Sequence, residues 1–299
     1  GNHGHECTFN ADLTTSHAQH TCMFYDCVGS KLTSLHGKFI NVVRDGESSS
    51  GDGSSQIPAT GLYSWFKSSE ASKEWKSEVN GFVGTVVGGS VKTEFHAGNG
   101  AAGVVRTLAG DRNAQFNFGA ILPAEWTLCT LSRYTGSSKG RILIGGNGNF
   151  LHGHHGADRG VAHYDTWVTN SRSTARLQDW LIMCGTNKGK RAYVDGVNVA
   201  TADRNGASGN KHLGINYAPN GGCCDSQRSD WAVAEVITWD RSLSDDEMKQ
   251  VSAYLDAVKS SISVSEISAV GTRTNCRFSA VSDADGAYEI KLRDTSGKI

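Results

Sequence analysis

The sequence predicts an all-β fold, a β-sandwich closed by one short C-terminal helix and followed by a small second β-region. Three observations carry this expectation. The chain has 36 glycines and only 20% charged residues among 299, the profile of many short strands joined by Gly, Asn, Asp and Ser turns. It holds a long series of short stretches rich in β-branched and aromatic residues, each bounded by turn signals. Between Asp230 and Val258 the hydrophobic period then switches from two to that of a helix.

The elements follow in order. Residues 1–45 form a Cys- and His-rich arm that ends in a strand-like KFINVVR, and residues 46–57 are a polar Gly/Ser stretch with the composition of an exposed loop or linker. Residues 58–260 read as one domain. Its strand segments are GLYSWF, VKTEFHA, AQFNFGAIL, WTLCTLSRY, GRILIGG, GVAHYD, DWLIMCG, KRAYVDG and VNVAT. Asp195-Gly196 marks a hairpin turn. In DWAVAEVITW strict alternation puts Trp231, Val233, Glu235 and Ile237 on one face, with Ala232, Ala234, Val236 and Thr238 on the other. Ser244 stands three residues before Glu247, a capping box, and Met248, Val251, Leu255 and Val258 follow at helical spacing. Residues 261–299 form a separate region with the short strands SVSEISAV and NCRFSAV and the phrase SDADGAYEIKLRD.

Three of these motifs carry a family resemblance. GLYSWF with WKSEVNGFVG, YVDGVNVA, and EVITWDRSLSDDEMKQVSAYL resemble the opening strand and turn, the Y-V-D-G hairpin and the closing strand-helix of laminin-G-like domains in the concanavalin A-like superfamily. The resemblance implies a concanavalin A-like jelly-roll β-sandwich. It implies no single function, because such folds host lectins, adhesion modules, glycosidases and lyases. Calcium is common among such relatives. Here Asp225, Asp230, Asp203 and Asn205 are the residues nearest to a calcium set, but none forms a D-x-D-x-D-G loop and they are read first as solvated turn residues. SDADGAYEIKLRD resembles the turn-and-strand of carboxypeptidase-regulatory-like, transthyretin-type sandwiches, which implies a second β-module in a larger modular protein.

Composition narrows the function classes. A net charge of -1 and the lack of a basic stripe exclude a nucleic-acid reader. No apolar run reaches the length of a membrane span. The chain opens at GNHGHEC without Met, as a mature or excised fragment would. Eight cysteines, with Cys7, Cys22 and Cys27 clustered near the start, Cys223 and Cys224 adjacent, and Cys276 near the end, favour disulfides and an extracellular or cell-surface location. Cys129 and Cys184 lie in apolar strands, either as buried thiols or as a cross-strand bridge. Cys223 and Cys224 pair with partners elsewhere or with each other. The chain has no N-x-S/T sequon.

The densest chemistry lies in GNGNFLHGHHGADRGVAHYDTW, read as a Gly-broken loop. His152, His154, His155, Asp158 and Arg159 could hydrogen-bond sugar hydroxyls, while Tyr164 and Trp167 could stack on a pyranose ring. The plainer reading is that these histidines fix the loop by bonding to its backbone. L-H-G-H-H lacks zinc-ligand spacing. The N-terminal His3, His5, Cys7, His17, His20 and Cys22 are read as disulfide-bearing before metal-binding. Catalytic signatures are missing: no E-x-D-x-E string and no P-loop occurs, and the one G-x-S-x-G string, residues 136–140, stands between two strand segments and is no elbow. Glu235 and Asp240 stand at odd separation, on opposite strand faces, whereas glycoside hydrolysis needs two facing carboxylates.

The sequence thus predicts a non-catalytic extracellular glycan-binding or adhesion module of a larger protein, with glycans or other extracellular proteins as partners and no firm cofactor, calcium being the one candidate. The alternatives are a self-assembling structural subunit of a surface filament or sheath, and a carbohydrate-active glycosidase or lyase.

Overall fold

The computed structural model describes residues 7–9, 57–101, 104–146, 148–173, 179–203, 209–218, 223–224, 226–260, 277–282 and 288–293. The N-terminal histidines, Cys22, Cys27, Cys276, Asn205, Asp225, KFINVVR, SVSEISAV and the Gly/Ser stretch up to Gln56 lie outside these residues. The chain divides into two units, Ser54–Ser260 and the pair of segments Gly1–Gly53 with Ser261–Ile299.

Strand β1 (Cys7–Phe9) belongs to the smaller unit. The larger unit begins with β2 (Leu62–Phe66), β3 (Glu74–Lys76), β4 (Val83–Gly88), β5 (Val91–His96), β6 (Val105–Gly110) and β7 (Gln115–Leu122). It continues with β8 (Thr127–Lys139), β9 (Leu143–Gly145), β10 (Phe150–His155), β11 (Asp158–Tyr164) and β12 (Leu181–Thr186). It closes with β13 (Ala192–Val194), β14 (Val197–Asn198), β15 (Lys211–Ile215), β16 (Ser229–Trp239) and α1 (Asp245–Ser260). Strands β17 (Arg277–Ser282) and β18 (Tyr288–Arg293) pair in the smaller unit, where β1 adds to β18 in an antiparallel sheet.

The larger unit is an all-β sandwich with one helix. One sheet runs β11-β10-β9-β15-β7-β4-β3; the other runs β14-β13-β12-β8-β16-β6-β5, with β2 also on β16. Phe66, Trp75, Phe116, Phe118, Leu128, Phe150, Tyr164, Leu181, Met183, Trp231 and Val233 fill the space between the sheets. A second cluster lies on the outer face of the second sheet. There α1 buries Met248, Val251 and Leu255 against Cys129, Leu131, Ile182, Cys184, Ile237 and Trp239, each buried side chain contributing about 1.5–3 kcal/mol. The capping box forms: the Ser244 amide donates to Glu247 Oε2 at 2.8 Å and the Glu247 amide to Ser244 Oγ at 3.2 Å. Arg241 also holds Glu247 at 2.5 Å, and together these contacts pull the Glu247 carboxyl down to about 2.

The closing strand departs from strict alternation. In the β16–β8 ladder Val233 faces Ser132 and Glu235 faces Leu131, so Ala234 is an extra residue, a β-bulge. Trp231, Val233 and Val236 consequently face the inter-sheet core, while Ile237 and Trp239 face the helix. Glu235 is carried to the helix side, where Tyr254 of α1 meets it.

Candidate functional site

The residues expected to form a histidine-rich loop instead form the antiparallel hairpin β10–β11 at the edge of the first sheet. Its histidines look unlike a strand in sequence, yet five of its six β10 residues are buried. The register pairs His152 with Ala162 and Leu151 with His163, then shifts so that His154 pairs with Arg159 and His155 with Asp158. Gly160 is the extra residue, and its φ of 74° is open to glycine at little cost.

This register sorts the expected ligand residues onto two faces. His152, His154 and Tyr164 point between the sheets and are fully buried. They form part of the interior, a correction to their expected place on an open loop. His152 is satisfied there: its Nε2 lies 3.2 Å from the Met183 carbonyl and its Nδ1 2.7 Å from the Tyr164 hydroxyl. A neutral ring donates to the first and accepts from the second, and burial holds its pKa down to about 4. The Tyr164 ring sits directly over Gly185, where any Cβ would collide with its hydroxyl. His154 packs edge-on to Tyr134 with both ring nitrogens unpartnered. Burial first, then the charges of Arg159 and His152, push its pKa down to about 3. Arg159 shares the inner side of the hairpin with its register partner His154.

The opposite face holds the accessible set. His155 and Asp158 pair across the hairpin end, and Asp158 is tied to the Ser173 amide at 2.9 Å and to Arg172 at 3.5 Å. After β11 the chain turns at Asp165, whose φ is 63°, and Val168 bonds back to the Ala162 carbonyl at 3.0 Å. This tight return folds the half-buried Trp167 over His163, ring centroids 5.1 Å apart at 88°. The His155 ring flanks the same indole at 6.1 Å.

Beneath these rings lies a polar frame that sequence spacing did not reveal. Arg141, 4% exposed, donates from Nε to Gln227 Oε1 at 2.8 Å and from Nη1 to Asn149 Oδ1 at 2.7 Å and the Phe150 carbonyl at 3.3 Å. Asn149 accepts from His163 Nδ1 at 2.9 Å through its carbonyl and donates its amide to Asp165 at 3.2 Å. The backbone of Gln227 joins Arg141 at 2.7 Å and the carbonyl of Cys224 at 2.9 Å. Cys223 and Cys224 are bonded to each other, and the Cys223 amide reaches the Gly148 carbonyl at 2.8 Å. The backbone bonds of Cys223 to Gly148 and of Gln227 to Arg141 therefore anchor these residues on this edge. Cys129 and Cys184 form the cross-strand bridge on the helix-covered face, Cα atoms 4.0 Å apart.

The other chemistry weighed in the sequence is occupied structurally. The Glu235 carboxylate accepts from Trp65 Nε1 at 2.9 Å, the Ser68 amide at 3.0 Å and the Tyr254 hydroxyl at 3.2 Å. It is buried, and desolvation raises it to about 7. Asp230 accepts from the Arg112 amide at 3.0 Å and the Ser138 amide at 2.8 Å. Among the described residues no group of three His, Cys, Asp or Glu side chains gathers into a metal site, and no helix is long and apolar enough to cross a membrane.

The larger unit thus defines a two-sheet sandwich with an aromatic and polar patch on one edge. No protein-family model matches the sequence, and no curated protein matches it. Solved structures with similarity include a Trypanosoma rangeli sialidase in complex with 2,3-difluorosialic acid, at 14% identity and a TM-score of 0.45 over 68% of this chain and 34% of that one. Domain 4 of AbnA, a GH43 extracellular arabinanase from Geobacillus stearothermophilus in complex with arabinotriose, matches at 10% identity and 0.45 over 64% and 98%. The binding domain of Paraclostridial Mosquitocidal Protein 1 matches at 10% and 0.44 over 78% and 63%. The chain spans about a third of the sialidase. At such identities and scores the case for function stands on the patch itself.

Proposed function

We propose that this chain is a non-catalytic, extracellular glycan-binding module, and that sugar rings dock on Trp167 between His155 and His163. The observation that carries the reading is the half-buried indole held by a tight turn over a pre-bonded polar frame. A planar aromatic offers its face to the C–H side of a pyranose, and the half-exposed imidazoles fixed beside it meet hydroxyls at little reorganisation cost. The laminin-G-like assignment belongs to this reading, supported by the closing strand, capping box and helix. The two disulfides support an oxidising location. The second unit supports a place in a larger modular protein. The burial of Glu235 under three donors supports the non-catalytic role, since that carboxylate faces no cleft.

A glycan array probed with the full chain, with and without calcium, tests this. Saturable binding to at least one glycan class is expected, and Trp167→Ala is expected to weaken it roughly tenfold or more while the chain still unfolds cooperatively, as loss of a stacking platform does. A blank array in both conditions, or full binding by Trp167→Ala, overturns the reading.

A further inference from the structure

We infer that the Trp167 patch recognises an acidic sugar, and that Arg141 is the group that holds its anion, with Gln227 standing in that place in the free protein. The inference rests on the glycan-binding reading and names the chemistry of its ligand.

Arg141 carries the argument. A guanidinium at 4% exposure normally keeps a carboxylate beside it, because a buried cation without a counter-charge bears much of its desolvation cost. Among the described residues Arg141 has no such partner. Its acceptors are the side-chain amides of Gln227 and Asn149 and one backbone carbonyl, all neutral. The nearby carboxylates are engaged elsewhere: Asp158 with Arg172 at 3.5 Å and Ser173, Asp165 with Lys211 at 3.6 Å and the Asn149 amide. Burial alone lowers the Arg141 pKa, and its charge helps to lower that of His155. Arg141 thus places a positive charge near His155 and, through Asn149, one residue away from His163, the two rings that flank Trp167.

Gln227, whose side chain bonds both Arg141 and His155, is the partner an anion would displace. It is exposed at the surface, whereas the arginine under it is not. Its side-chain amide reaches Arg141 Nε at 2.8 Å, where a carboxylate or sulfate oxygen would make a stronger, charge-assisted bond. When Gln227 swings into solvent, the anionic group of a sugar seated on Trp167 takes its place. A uronic acid and a sulfated sugar share this chemistry.

The test uses the full chain and four probes: oligogalacturonate, its methyl ester, dextran sulfate oligosaccharides and unmodified dextran. The charged form of at least one pair is expected to bind roughly ten times tighter than its neutral counterpart, which also tells a carboxylate from a sulfate ligand. Gln227→Glu places a carboxylate of the protein against Arg141. It is expected to raise the melting temperature while weakening the charged probe roughly tenfold, and Gln227→Ala to preserve or strengthen that binding. Arg141→Lys keeps the charge but loses the fork, with an intermediate affinity expected. Equal affinity for charged and neutral forms, or undiminished acidic binding by Gln227→Glu, overturns the acidic-sugar inference while leaving glycan binding intact. No binding of any probe, together with a blank array, overturns both.

Discussion

At the scale of single residues, His154 is the clearest departure from what its sequence context implied. A histidine between glycines in L-H-G-H-H looks like a solvated ligand, because imidazole is rarely fully buried without partners. Here the strand places it, with Thr130 and Ser132, between the sheets, and the side-chain polar atoms of all three lack hydrogen-bond partners. A buried polar group left unpaired costs about 1–3 kcal/mol. His154→Leu is therefore expected to raise stability at neutral pH by about 1 kcal/mol, read as a higher urea midpoint with unchanged slope; a lower midpoint would mean the imidazole is paired. His155 and Trp167 could be named from sequence because aromatic and imidazole side chains in a Gly-rich stretch stand out. Arg141, Asn149 and Gln227 could not, since they lie outside the strands and only the folded sheet brings these distant residues together.

Among the elements, the helix was legible because its signals are local. A capping box and a stripe at helical spacing depend on neighbours three and four residues away, and both form as the sequence predicts. Ser244→Ala removes one half of the box and is expected to cost about 1 kcal/mol, checked by thermal unfolding; Ser244→Asp should restore most of it, which a purely packing effect would not. The strands were legible where β-branched and aromatic residues alternate, as in β2, β5, β7 and β12. They were not legible in β4 or β10, where glycines and histidines dilute the pattern. The bulge at Ala234 could not be read at all, because it arises from the β8 ladder and not from the residues of β16. Strands β8 and β12 are also bolted together by Cys129 and Cys184, 55 residues apart. The Cys129→Ala/Cys184→Ala pair is expected to lose about 2–4 kcal/mol, and a reductant should then have little further effect on the melting temperature unless the Cys223–Cys224 turn also contributes.

For the whole molecule, three buried titrating side chains set how stability responds to acid, and they pull in opposite directions. His152 and His154 stay neutral in the fold down to about 4 and about 3, whereas in the unfolded chain they take up protons below the ordinary value of 6.5. Their contribution is present above that value and is lost as pH falls. Glu235 behaves inversely. Its carboxyl is raised from 4.5 to about 7, so between those limits the folded chain holds a proton that the unfolded chain has released, and acidification favours the fold. From pH 6 to 5 the unfolded state binds two histidine protons and the folded state one carboxyl proton, a net difference of one. Stability should fall by about 1.4 kcal/mol over that unit. His96 and His155, also pushed down by burial, act in the same sense as the inner histidines. The variants separate the terms. Glu235→Gln removes the opposing proton and should steepen the loss to about 2.7 kcal/mol per unit, while His154→Leu removes one histidine and should bring it near zero. Urea unfolding of the three proteins at half-unit steps between pH 5 and 7.5 measures these slopes directly. An unchanged slope in Glu235→Gln would show that the carboxyl under Trp65, Ser68 and Tyr254 is ionised throughout, held by its three donors against the cost of burial.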